Sequence, residues 1–132
     1  MGATKLNDLI PQMENYLECW KQFNHYLIQA RSKKFEPEDE SQFLEVKSVL
    51  TQELEIILAS IETQNPSKEE ILALVSSAPS IRYVSELNEN ALRALENQWH
   101  KIFIAWQSLL GQLKVQQKQT DKKGLFGSLF KK

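Results

Sequence analysis

Apolar residues recur along most of the chain at spacings of three and four residues, the period of one face of an α-helix. The first helix is predicted from a stripe of such residues, which are Leu6, Leu9, Met13, Tyr16, Trp20, Phe23, Leu27 and Ala30. Asn7 or Asp8 is a suitable N-cap for this helix. With that start, Pro11 lies in the first turn, where its missing N–H removes no hydrogen bond.

A second helix is predicted to begin at Pro37, because proline suits the first helical position and acidic residues follow it. We expect this helix to end near Thr63, before Asn65-Pro66. Its apolar stripe consists of Phe43, Val46, Leu50, Leu54, Ile57, Leu58 and Ile61. This pattern again indicates a helix with one buried face.

A short third helix is predicted between Ser67 and Pro79. Ser67 and Glu70 form a capping-box pattern, in which each side chain can bind the free amide of the other residue. One further helical turn fits Ile81 and Val84. Proline ends the short helix because its ring cannot continue the hydrogen-bonded ladder.

The last predicted helix begins between Ser85 and Asn88 and has the most regular stripe. Its members are Leu92, Leu95, Trp99, Ile102, Trp106, Leu109 and Leu113. These are coiled-coil spacings, so part of this face is also suited to a partner subunit. We therefore predict an all-α chain, an antiparallel helical bundle of three long helices plus one short helix, with a basic amphipathic C-terminal tail.

Composition and charge narrow the function. The chain of 132 residues matches one ordinary domain. Its one cysteine and lack of long apolar runs lead us to expect a cytoplasmic protein, with peripheral membrane attachment as an option. Residues 36–70 carry a net charge of −8, whereas residues 114–132 carry +5. Because the acidic segment repels nucleic acid, we predict no nucleic-acid partner.

Residue types that support catalysis or metal binding are sparse. Neither His25 nor His100 belongs to a Glu-x-x-His motif, so no di-iron site is expected. Glu96 and His100 are spaced to meet on an exposed helix surface. Cys19 lies at the edge of an apolar stripe without a suitable local base. We therefore predict no enzyme activity, no catalytic or metal-binding residues and no cofactor.

The C-terminal segment is the best candidate for a functional site. We predict a helical bundle over residues 1–118, then a frayed helix end or flexible linker and a docking tail over 119–132. In a helix, four apolar residues of the tail share one face, and lysines lie on either side of them. The predicted docking residues are Leu125, Phe126, Leu129, Phe130, Lys122, Lys123, Lys131 and Lys132. Gly124 and Gly127 make this helix unstable alone, so it requires a surface on which to order.

Three surfaces fit such a tail. An anionic membrane would receive the apolar face and attract the lysines, which predicts a non-catalytic interaction or adaptor protein. The alternative is a protein groove. The stretch Phe126-Gly127-Ser128-Leu129 resembles the C-terminal targeting peptides of encapsulin cargo proteins, in which a Gly-Ser-Leu core follows an apolar residue and a flexible linker. That resemblance implies a cargo or accessory subunit of a larger assembly. The third surface is the chain's own bundle.

Overall fold

A computed structural model describes the backbone of residues 3–61, 63 and 65–130, and the side-chain surroundings of residues 5–61, 63 and 65–122. Within these ranges the protein is all-α, with five helices and no strand. The helices are α1 (Ala3–Ser32), α2 (Pro37–Ser60), α3 (Lys68–Ser77), α4 (Ile81–Ser85) and α5 (Glu89–Phe130). The predicted all-α class is therefore confirmed.

The predicted apolar stripes form a single core. Each member of the α1 stripe is at most 4% exposed, and the core also contains most stripe residues of α2 and α5. Trp20, Trp99 and Trp106 are all buried, as their positions in the stripes predict. Leu58 and Leu109 lie at the edge of this core and are only partly buried.

Helix α1 lies at the centre, with contacts to α2, α4 and α5, while α3 contacts both α2 and α5. The hydroxyl of Tyr16 donates a hydrogen bond to the carbonyl of Leu50 at 2.8 Å and joins α1 to α2. The indole N–H of Trp99 donates to the carbonyl of Trp20 at 2.9 Å and joins α5 to α1. Because both groups are buried, these bonds also fix how the helices are placed along one another.

The predicted start of α1 is wrong. The helix begins at Ala3, so Pro11 lies inside it rather than in its first turn. Leu6, Leu9 and Ile10 are buried, and their packing keeps the turns before the proline helical. Asn7 does not cap α1, since its side-chain oxygen accepts a hydrogen bond from the amide of Gln117 on α5 at 2.7 Å.

The short connections follow the predicted start signals closely. Helix α2 begins at Pro37, as predicted, but it ends at Ser60, before the expected Thr63. The Ser67 hydroxyl oxygen caps α3 by accepting from the amide of Glu70 at 3.2 Å. The Glu70 carboxylate accepts from this hydroxyl, also at 3.2 Å, rather than from the Ser67 amide as the capping box predicts. The predicted extra turn is the five-residue helix α4.

Helix α5 is longer than the other helices and continues past the body. It has 42 residues, against 30 in α1. The contact between Asn7 and Gln117 lies close to the start of α1, so the last turns of α5 extend beyond that end by roughly 13 Å at 1.5 Å per residue. Residues 119–123, at the predicted frayed end or linker, are helical throughout.

Candidate functional site

The predicted docking tail forms the end of α5. Lys122 is exposed on this helix. For Lys123, Leu125, Phe126, Leu129 and Phe130 only the backbone is described, and it is helical. Lys131 and Lys132 lie outside the described residues. The backbone of the tail up to Phe130 thus continues the helix of the body. The side-chain contacts of the tail beyond Lys122 lie outside the described residues.

A second surface, which we name the outer face of α5, lies on the solvent side of the same helix. It consists of Lys101, Ile104, Ser108, Gly111, Val115, Lys118 and Lys122, all of them exposed. Ile104 is 50% exposed and Val115 is 54% exposed. A Cβ atom added to Gly111 would have no atom within 4 Å, so the surface between these two residues is open.

Positive charge dominates α5 around these residues. Between Glu96 and Asp121 the sequence contains no aspartate or glutamate, although lysines occur there. Neighbouring helices offer only loose partners: Lys101 lies 3.7 Å from Glu70 of α3, and its side chain is 73% exposed. Exposed ion pairs of this kind contribute little to stability, so Lys101 can exchange Glu70 for another anionic partner at low cost.

The outer face has the same helical register as the apolar residues of the tail. At about 100° per residue, Ile104 and Val115 occupy helical-wheel positions roughly 180° from the mean of the core stripe of α5. On the same wheel the mean position of the tail's apolar residues lies within about 20° of Ile104 and Val115. These tail residues are Leu125, Phe126, Leu129 and Phe130. A straight α5 therefore places both apolar groups on one line.

This outer stripe was missed at the level of sequence. Its signal was present, because residues 104, 108, 111 and 115 follow the 4-3-4 spacing of a heptad seam. The core stripe of the same helix is richer in large apolar residues and masks the weaker series. Only the burial of the core stripe separates the two faces, since it leaves Ile104 and Val115 in solvent.

A groove of about 300 Å³ lies between α1 and α5. Its rim contains Glu14, Glu18, Lys21 and Lys114. These charges are paired: Lys21 lies 3.0 Å from Glu18 on the same helix, and Lys114 of α5 lies 3.5 Å from Glu14 of α1 across the groove. Because each lysine has a carboxylate neighbour, the groove has no excess charge that would select an ion of one sign.

The remaining reactive side chains are scattered. Burial, and then the charges of Glu53 and Glu18, raises the pKa of the Cys19 thiol, which keeps it protonated and poorly nucleophilic. His25 and His100 are exposed. Among the described residues, no cluster of three or more histidines, cysteines or carboxylates is arranged to hold a metal ion.

The predicted pairing of Glu96 with His100 is replaced by a contact between helices. Glu96 accepts hydrogen bonds from the guanidinium of Arg31 at 2.6 and 2.9 Å. The same guanidinium binds Glu89 at 2.9 Å. These hydrogen bonds raise the pKa of Arg31 and lower the pKa of Glu89. Arg31 therefore joins the end of α1 to the start of α5, a role that its position in the last turn of α1 does not reveal.

Comparison with known proteins gives no match to a protein family, a curated protein or a solved structure. None of the helices in the described ranges combines the length and the apolarity needed to cross a bilayer. Two features of α5, its outer face and the tail at its end, are the candidate functional surfaces of the chain.

Proposed function

We propose that this chain is a non-catalytic interaction or adaptor protein whose C-terminal tail docks on an anionic membrane surface. In this proposal residues 1–118 form an antiparallel helical bundle and residues 119–132 form the docking tail. The observation that carries the proposal is the sequence of the tail. Its apolar residues fall on one helical face, and a pair of lysines lies at each end of them. The tail occurs at the end of a helix that extends past the body.

Each part of the tail matches one part of a lipid interface. Leucine and phenylalanine side chains gain free energy when they enter the boundary between headgroups and acyl chains. A lysine near an anionic surface contributes about 1 kcal/mol. A tail with a few of each gives weak, reversible attachment, which two or more copies would strengthen through avidity. Self-association of the chain would supply these copies, and it is part of the proposal.

The register of α5 argues against the tail as a cover for its own core. If the helix stays straight, the apolar residues of the tail lie roughly opposite to the stripe that packs on α1. The nearby end of α1 is already packed, with Leu6 2% exposed and Leu9 4% exposed. The tail therefore favours a surface outside the chain.

The absence of enzyme activity is also part of the proposal. Its support is the state of the groups that could act, which are a half-buried thiol with a raised pKa and two exposed histidines. The groove between α1 and α5 has balanced charges on its rim. Such a surface suits recognition better than proton transfer.

The alternative is a cargo or accessory subunit held through a protein groove. The observation that favours it is Phe126-Gly127-Ser128-Leu129, which is similar to encapsulin targeting peptides. A groove would read the order of these residues, whereas a membrane reads only their amphipathic spacing. The two functions can therefore be separated by changing the order of residues in the tail.

The first experiment deletes residues 120–132 and compares flotation with phosphatidylserine-containing vesicles and size-exclusion profiles. We expect the intact chain to float and the truncated chain to remain unbound with unchanged thermal stability. A gentler variant replaces Phe126 and Phe130 with serine and should have the same effect. Equal flotation of all three chains would contradict membrane docking. Loss of stability on deletion, without any loss of a binding activity, would instead favour a tail packed on its own body.

A matched variant then distinguishes lipid from protein. The residues of the segment 124–130 are permuted so that the apolar positions remain apolar but the Gly-Ser-Leu order is lost. Membrane docking predicts unchanged flotation for this variant, because the amphipathic face is retained. The cargo function would be supported if the parent binds an encapsulin-type protein shell but no vesicles, and if this variant loses the binding to the shell.

A further inference from the structure

We infer that the outer face of α5 is a second part of the lipid contact, so that the helix lies along an anionic bilayer instead of touching it only with its tail. The inference rests on the proposed function and extends it from the tail to the body. It assigns Ile104 and Val115 as shallow apolar contacts. Lys101, Lys118 and Lys122 are assigned as contacts to lipid phosphates or carboxylates.

The first support is geometric. Ile104 and Val115 are half exposed, and their helical-wheel positions lie within about 20° of the mean position of the apolar residues of the tail. From Ile104 to Phe130 the helix spans roughly 39 Å at 1.5 Å per residue. A helix with one apolar, lysine-flanked face along its length is the kind that lies in the plane of a membrane interface.

The second support is the distribution of charge across the body. The outer face contains three lysines and no carboxylate. Helix α2, which carries most of the acidic segment 36–70, packs on α1, α3 and α4, and Glu70 of the same segment lies on α3, 3.7 Å from Lys101. A negatively charged bilayer would therefore attract the α5 side and repel the α2 side, which orients the body.

The same charges argue against the competing occupants of this face. Two copies of the chain joined through their outer faces would bring Lys101, Lys118 and Lys122 of each copy together, and Glu70 beside Lys101 would offset only part of this positive charge. A nucleic acid would satisfy the lysines, but it would offer no apolar contact to Ile104 and Val115. An anionic bilayer satisfies both groups at once.

The test compares three double variants of the full-length chain on vesicles of phosphatidylcholine with phosphatidylserine. Ile104→Gln with Val115→Gln changes the outer face and should lower the vesicle affinity about tenfold, because two apolar contacts are lost. Phe126→Ser with Phe130→Ser changes the tail. Ile28→Gln with Leu44→Gln is the matched control, since both residues are 55% exposed but lie on α1 and α2. We expect this control to bind like the parent.

A fluorescent label gives a second readout that does not depend on affinity. In a Cys19→Ser background, Ser108→Cys places an environment-sensitive label on the outer face, and Ser41→Cys places one on α2. Contact of the outer face with lipid predicts a blue shift of the label at position 108 on adding the vesicles, and no shift at position 41.

The outcomes separate this inference from the proposed function. Loss of affinity in the tail variant alone, with no shift at position 108, overturns the inference and leaves tail docking in place. Absence of vesicle binding by the parent overturns both. A change of oligomeric state in the Ile104 and Val115 variant before vesicles are added would overturn the inference in favour of a second copy on this face.

Discussion

Replacing Tyr16 with phenylalanine removes one hydroxyl from the place where α1, α2 and α5 meet. Tyr16 is fully buried, and its hydroxyl donates to the carbonyl of Leu50 at 2.8 Å. Its ring forms edge-to-face pairs with the rings of Trp20 and Trp106, whose centroids lie 6.3 and 5.5 Å away. Phenylalanine keeps this packing, so the substitution isolates the hydroxyl.

At neutral pH we expect a moderate loss of stability. A neutral hydrogen bond of this kind contributes about 1 kcal/mol to the free energy of unfolding. For a domain of this size that corresponds to a decrease in the melting temperature of about 4 °C. The carbonyl of Leu50 lies within α2, where it can still accept from the helix backbone, which limits the cost.

The pH dependence provides the sharper test. Burial raises the pKa of the Tyr16 phenol. In the unfolded chain the phenol ionises near pH 10, while the folded protein still holds the proton. Stability from this group is therefore complete below about pH 10 and falls above it by about 1.4 kcal/mol per pH unit. Phenylalanine has no such loss, so the two stability curves should cross between about pH 10 and 11.

Urea unfolding followed by tryptophan fluorescence, from neutral to alkaline pH, measures both curves. The difference between parent and variant cancels the other groups that titrate in this range, including Tyr26 and Cys19. Tyr83→Phe is the control, because Tyr83 is 49% exposed whereas Tyr16 is fully buried. Parallel curves for the parent and Tyr16→Phe at every pH would refute the burial of this hydroxyl.

Three further substitutions test other parts of the fold. Gly111→Ala should stabilise the protein by about 1 kcal/mol in thermal unfolding, since the added Cβ enters open space; a destabilised variant would contradict the open outer face. Glu40→Ala removes the carboxylate that accepts from the amide of Ile81 at 2.7 Å. It should lower the free energy of unfolding by about 1 to 2 kcal/mol and speed hydrogen exchange of that amide. Unchanged exchange would disprove this cap. Arg31→Met should lower the melting temperature slightly at low salt and not at high salt. Because Arg31 lowers the pKa of Glu89, the parent's advantage should disappear below about pH 4, and an advantage that persists in acid would argue against the ion pair.

The core and most helix starts were predictable from the sequence because they depend on residues close together in the chain. The heptad spacing of Trp99, Ile102 and Trp106 places them on one face, and burial follows from that periodicity. Pro37 and Ser67 mark helix starts by local backbone chemistry alone. Such signals need no knowledge of the tertiary structure.

The polar contacts between helices were not predictable, because sequence patterns predict a role within the residue's own helix for each of these polar side chains. Asn7 reads as a helix cap, yet its partner Gln117 is 110 residues away. Arg31 reads as a charge at the end of a helix, yet it binds Glu96, 65 residues away. Glu40 reads as one acid in the first turn of α2, yet it caps α4. In each case the partner depends on how the helices pack.

The candidate site also has one part that was predictable from the sequence and one part that was not. The apolar and basic character of the tail is a property of composition and was visible in residues 119–132. The outer face was not visible, because single exposed residues such as Ile104 are ordinary on protein surfaces. The outer face becomes recognisable as a candidate site only when α5 is continuous to Phe130, because the outer face and the tail then share one helical register.

The affinity of the full-length chain for vesicles of increasing phosphatidylserine content tests the central claim most directly. We expect binding that rises with the anionic fraction, weakens with added salt and is lost when Phe126 and Phe130 are replaced with serine. Binding that is absent at every composition, or that is equal for the parent and the double variant, would contradict the tail as a membrane-docking element.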